Sequence, residues 1–230
     1  MARGFRRRGK GADLRYAAKL DEVERGVVIG LMEQVIELLD APAAPTEAAD
    51  PFDQIVAGMG GLGIGVSVLP EDQQGWPSAG PVPEDARSFG ERDPALQRLL
   101  PAGNRSDEQV SAEFRRLTED GLKQRKAAAL RRSIAALSVD SGSVEVDAAT
   151  APLLLAALTD VRLVLGERLE LRDDTDVERL EVIVDTLAPD DPLVYAMVVY
   201  DFLTWLQETL AGELLRSLDV GGAVGQVVGP

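Results

Sequence analysis

Apolar residues recur at spacings of three and four along several stretches of this chain, which predicts a mostly helical protein. Between Asp21 and Leu39 the positions Val23, Val27, Leu31, Val35 and Leu38 form one such stripe, and Asp21 followed by Glu24 has the form of a capping box. A second long helix is expected from a cap at Ser106 or Asp107 to about Leu137, with Val110, Phe114, Leu117, Leu130, Ile134 and Leu137 on one face and Gly121 as its weak point. A third, capped by Asp147, runs to about Leu171. One arc of it holds Thr159, Asp160, Arg162, Gly166, Glu167 and Glu170; the opposite arc holds Leu154, Leu158, Val161, Leu165 and Arg168. Asp176 and Glu178 open a further helix to about Leu187, and Asp191-Pro192 opens the last, to about Leu218.

The last helix carries Tyr195, Tyr200, Phe202 and Trp205, four of the ten aromatic residues in the chain. Its first turns are apolar all round and a polar stripe of Asp201, Thr204, Glu208 and Gly212 follows, so it is expected at the centre of the fold, with any partner surface elsewhere.

Shorter elements fill the rest. Gly4 to Arg8 and Asp13 to Ala18 read as two strands joined at Gly9-Lys10-Gly11, with Phe5 and Tyr16 pointing inward, and Val144 to Val146 reads as a third. Asp93-Pro94 starts a short helix to Leu100, and Phe52 to Ala57 starts another that a glycine cluster stops. Four prolines and three glycines between Leu69 and Asp93 predict a long, mobile loop. The expected architecture is therefore mainly α: a single helical domain over residues 1–218, its long C-terminal helices packed together, with a minor sheet and a disordered tail over residues 219–230.

Composition narrows the chemistry. Histidine and cysteine are both absent from the 230 residues, which removes imidazole bases, thiolate nucleophiles, disulfides and the usual zinc and iron ligand sets. A formal charge of −15 sets the molecule as a whole against nucleic acid and anionic membranes. Residues 1–19 nevertheless carry seven Lys or Arg against Asp13, whereas residues 133–219 carry five Arg against eighteen acids. No run approaches the length of about twenty apolar residues needed to span a bilayer, and the basic terminus lacks a following apolar segment, so a cytoplasmic location without membrane contact is the default.

No motif carries a mechanism. Gly58 to Gly63 matches G-x-G-x-x-G, but the valine-rich run after it ends at Pro70 and is no helix start, so a tight loop is the better reading. Asp173, Asp174, Asp176 and Glu178 offer oxygen ligands at short spacing, yet the glycine and distal glutamate of a calcium loop are missing; the run reads as helix-capping acids. No catalytic residue, cofactor or metal is assigned. Arg3, Arg6, Arg7, Arg8 and Lys10 form a basic arm suited to phosphate or to an acidic protein surface. The basic set Arg115, Arg116, Lys123, Arg125, Lys126, Arg131 and Arg132 is diluted by acids and reads as a solvated face. Arg168 falls on the apolar arc of its helix, where an unpaired charge is costly, and Asp201 is its expected partner.

The opening RGFRRRG, LDEVER (Leu20 to Arg25), DPF (Asp50 to Phe52), AEFRRLTE (Ala112 to Glu119), LTDVRLVLGERL (Leu158 to Leu169) and VYDFLTWLQETL (Val199 to Leu210) together resemble the AosR family of actinomycete oxidative-stress transcriptional regulators. The likeness extends over nearly the whole chain. It implies a non-enzymatic cytoplasmic regulator that contacts the transcription machinery, RNA polymerase or a sigma factor, as well as or instead of DNA. Sensing in that family is associated with cysteine chemistry, which this chain lacks; oxidation of Met32, Met59 or Met197 is a weak substitute. Competing readings are a sequence-specific DNA binder using Arg6 to Arg8, a carboxylate-based enzyme and a helical adaptor unrelated to stress. Long amphipathic helices permit a homodimer without requiring one.

Overall fold

The computed structural model describes residues 2–40, 93–101, 108–139 and 143–223. Strands β1 (Arg3–Arg8), β2 (Arg15–Lys19) and β3 (Val144–Asp147) form an antiparallel sheet in the order β1-β2-β3. Around it lie α1 (Glu22–Asp40), α2 (Pro94–Leu99), α3 (Glu108–Leu137), α4 (Ala151–Arg168), α5 (Asp174–Val184) and α6 (Pro192–Ala223). The protein is mostly helical, with one small sheet among the described residues, as the periodicity predicts. The segments Phe52 to Ala57, Gly58 to Gly63 and most of Leu69 to Asp93 lie outside the described residues.

Local chemistry accounts for most element boundaries. Glu24 accepts from the backbone of Asp21 at 2.8 Å while Asp21 accepts from that of Glu24 at 2.9 Å, the reciprocal capping box expected from the sequence. Asp93 accepts from the Ala95 N–H at 2.8 Å, and Asp191 from the Leu193 N–H at 2.8 Å, each just ahead of a proline at the first helical position. The cap of α5 is Asp173, earlier than the expected Asp176, whose own N–H it receives. Helix α3 runs unbroken through Gly121. Helix α4 stops at Arg168 rather than near Leu171, because Glu170 turns left-handed (φ 57°) and the Leu171 N–H closes back on the Gly166 carbonyl at 2.7 Å.

The buried side chains form one cluster, and α4 is at its centre, packed against α1, α2, α3 and α6. Leu158, Ala157 and Ala151 of α4 are fully buried, as are Val28 and Met32 of α1, Leu130 of α3, and Leu203 and Leu210 of α6. The long C-terminal helices α4 and α6 do pack together. The α1 stripe is inward as expected at Leu31, Val35 and Leu38, with Val28, Met32 and Leu39 beside them; Val23, in the first turn, is 74% exposed. Phe114 and Leu117, in the N-terminal half of α3, are also exposed.

The sheet is fixed to α6 at one tight contact. The Phe5 N–H donates to Thr209 Oγ1 at 3.1 Å, the Phe5 ring is buried, and Tyr16 hydrogen-bonds Ser217 at 3.0 Å. A Cβ at Gly4 would stand 2.5 Å from Thr209 Cγ2, so the backbone of β1 approaches α6 only because residue 4 has no side chain. Gly4→Ala is therefore expected to cost about 1–3 kcal/mol. Urea unfolding followed by circular dichroism checks this, and a variant as stable as the parent would show that β1 does not dock there.

Candidate functional site

The basic arm of the sequence is a strand. Arg3, Arg6, Arg7 and Arg8 are exposed on β1, Lys10 is exposed in the turn that follows, and Arg15 and Lys19 are exposed on β2. Gly9, at φ 74°, makes the turn possible, and a bulge between Arg3 and Arg6 re-aims the strand. The register sets Arg3 opposite Lys19 and Arg8 opposite Arg15, so like charges face each other across the pair. Arg8 reaches Glu145 at 3.1 Å, and Arg15 faces Asp147 on β3. The Asp147 carboxyl is held below its ordinary pKa, first by its hydrogen bonds with Thr150 and then by Arg132 and Arg15.

Arg168 pairs with Asp93, not with the expected Asp201. The apolar arc of α4 on which Arg168 lies is covered by α2, whose capping carboxylate is thereby brought within reach, whereas Asp201 sits exposed on α6. Asp93 therefore serves two ends, one oxygen capping α2 and the other holding Arg168. A second ion pair ties the same helices together, Arg98 Nε to Glu167 at 2.7 Å. Two turns earlier on α4, Asp160 is buried and its only described partner is Lys126 of α3, one of the basic set expected to be solvated. Burial pushes the Asp160 carboxyl above its ordinary value, opposed by the Lys126 ammonium.

Between α2, α4 and α6 the surface opens into a cleft of about 240 Å³ that sequence reasoning did not single out. Arg98, Arg162 and Arg172 line it together with Thr159, Gly166 and Tyr200. Arg162 lies over the Tyr200 ring, 5.2 Å from its centroid, and donates to Gln207 Oε1 at 2.9 Å and to the Tyr200 hydroxyl at 3.4 Å. Gln207 in turn donates to Thr159 Oγ1 at 3.1 Å. Three of these residues, Thr159, Arg162 and Gly166, fall together on the polar arc read from the sequence. The arc is the signal; the arginines from α2 and the α4–α5 connection join it only in space.

The aromatic residues of α6 are not its core. Leu193, Ala196, Met197, Val199, Leu203, Leu206 and Leu210 are buried, while Tyr195 and Val198 are exposed and Phe202 and Trp205 are half-buried with ring centroids 6.0 Å apart. The helix is part of the core: its aliphatic face is enclosed, and Tyr200, Phe202 and Trp205 pack against the cluster at its margin. Met32 and Met197 are both buried. Among the described residues, no group of three or more acidic side chains is placed to hold a metal ion; Asp173 and Asp176 are spent on capping α5 and on Arg179. No described helix is long and apolar enough to cross a membrane.

Residues 2–214 match the model of a family described as a domain of unknown function, DUF2017. No curated protein and no solved structure matches the chain.

Proposed function

The chain belongs to the DUF2017 family, and we propose that it is a non-enzymatic cytoplasmic regulator that works by protein contact, presenting the basic sheet to an acidic surface of the transcription machinery. The observation that carries this reading is the register of β1 on β2. Arg3 against Lys19 and Arg8 against Arg15 gather cations on one sheet of an otherwise acidic molecule; Glu145 and Asp147 offset the repulsion at Arg8 and Arg15, and Arg3 with Lys19 has no described counter-charge. An acidic partner relieves that repulsion, and the strand holds the arginines at fixed spacing, so less order is lost on binding than from a free arm.

The likeness to the AosR oxidative-stress regulators supplies the class of partner, RNA polymerase or a sigma factor. A chain without cysteine forms no disulfide, and among the described residues both methionines, Met32 and Met197, are buried, which favours a response to oxidant that reaches it through that partner.

Affinity capture from a native lysate with identification of the bound proteins, followed by titration of the purified partner, tests the reading. The double variant Arg6→Glu, Arg7→Glu is expected to weaken binding about tenfold or more, with the loss shrinking at high salt. Arg179→Glu, exposed on α5, which packs on α6 rather than on the sheet, is expected to bind as the parent does. Failure to recover polymerase or a sigma factor removes the proposed partner, and tight, steeply salt-dependent binding to duplex DNA that needs Arg6 and Arg7 assigns the same face to nucleic acid instead.

A further inference from the structure

We propose that the cleft between α2, α4 and α6 binds a small phosphate monoester, with the dianionic phosphoryl group held among Arg162, Arg172 and Arg98. Three guanidinium groups line the cleft and one carboxylate, Glu167, reaches one of them, Arg98, which leaves Arg162 and Arg172 without an ion pair among the described residues. Two is the charge that a phosphate monoester brings near neutral pH, once its second proton, with a pKa of about 6, has left.

Arg162 is the centre of the site. It is half-buried, its Nε is enclosed and hydrogen-bonded to none of the described residues, and its described partners are all neutral: Gln207 Oε1, the Tyr200 hydroxyl and the Tyr200 ring. Withdrawing a guanidinium from water beside neutral groups alone is unfavourable, and an arriving anion reverses that deficit. The surroundings also lock it in place. Gln207 holds Arg162 and Thr159 together, and the Thr159 hydroxyl is committed to the Leu155 carbonyl at 2.9 Å, so the guanidinium is oriented before any ligand arrives.

The other groups complete a phosphate site. Tyr200 accepts from Arg162, which leaves its own hydroxyl proton free to donate into the cleft. Arg98 is anchored by Glu167 and by the Leu171 carbonyl at 3.3 Å, and Arg172 is exposed, with no described ion pair. Planar guanidinium forks suit phosphate oxygens better than point charges do. A cleft of about 240 Å³ exceeds what a bare phosphate fills, and Leu163, 36% exposed, gives the organic part of an ester an apolar wall. None of these residues belongs to the basic sheet, so the two proposals stand or fall separately.

Isothermal titration of the full chain with glycerol 3-phosphate and with inorganic phosphate, at ionic strength held constant with chloride, tests the site. Saturable one-site binding is expected for both ligands, tightening as pH rises from about 5.5 to 7.5 and the phosphate loses its second proton. Arg162→Gln is expected to weaken binding at least tenfold, as loss of a charge-assisted bidentate contact does. The exposed Arg172→Gln should weaken it several-fold while leaving the circular dichroism unchanged, so the test survives if Arg162→Gln does not fold. Arg216→Gln should bind as the parent. Heats no different from those of chloride up to about 10 mM ligand, or parental affinity in Arg172→Gln and in a folded Arg162→Gln, would overturn the proposal.

Discussion

Lys126→Met is expected to lower the unfolding free energy by about 3 kcal/mol at neutral pH, because it leaves the buried Asp160 carboxylate with no described partner. The pH dependence follows from the same pair. Burial already raises the Asp160 pKa, and both of the opposing influences come from Lys126, so the variant raises it further. A carboxyl whose folded pKa lies above its unfolded value keeps its proton longer in the folded state. Its contribution is most favourable below the unfolded pKa and is lost as pH rises through the folded one. The deficit of Lys126→Met is therefore largest above the folded pKa and shrinks as the solution is acidified towards the ordinary carboxylate range. Replacing both partners, Lys126→Met with Asp160→Leu, should restore most of the stability, since an apolar pair needs no compensation. Urea titrations at several pH values measure all of this, and a single variant within about 1 kcal/mol of the parent at neutral pH would remove the ion pair from the account.

Leu203→Ala is expected to cost about 3 kcal/mol, the transfer term of a fully buried leucine plus the cavity left between α6 and its neighbours. Val198→Ser, five residues earlier on the same helix, should change stability by no more than about 0.5 kcal/mol, because Val198 is 59% exposed. The contrast tests which way α6 faces. Comparable losses at the two positions would mean that the aromatic side of the helix is covered and that Leu203 is not specially enclosed.

The orientation of α6 is where sequence reading and structure part. Its first turns are apolar all round, and in such a helix periodicity does not say which side is inside. Aromatic residues weigh heavily in a chain with so few, yet the closest packing is made by Leu203, Leu206 and Leu210, whose face meets α4 and the sheet. Tyr195 and Val198 are left outside.

Helix α4 shows the converse. Its polar arc looks like a solvated face, and instead four polar groups on it find partners from elsewhere: Asp160 from α3, Glu167 from α2, Thr159 and Arg162 from α6. Those pairings join residues 34 to 69 positions apart, and no local spacing encodes them. The Arg168 expectation failed for the same reason. The sequence identifies a cation on an apolar arc that needs an anion; that the anion is Asp93 depends on where α2 docks.

What the sequence by itself determined is everything set by contacts a few residues apart: helical periodicity, the capping box at Asp21 and Glu24, the proline starts at Asp93 and Asp191, and the two-strand turn at Gly9 with Phe5 and Tyr16 turned inward. These are local hydrogen bonds and backbone preferences, and they act in any surroundings. The central position of α4, the aliphatic face that α6 turns inward, the like-charged register of β1 on β2 and the arginine-lined cleft were decided only by tertiary structure. Each depends on which of several apolar faces meet, and burial is non-directional: it rewards area removed from water without naming the partner, so shape and long-range charge pairing make that choice.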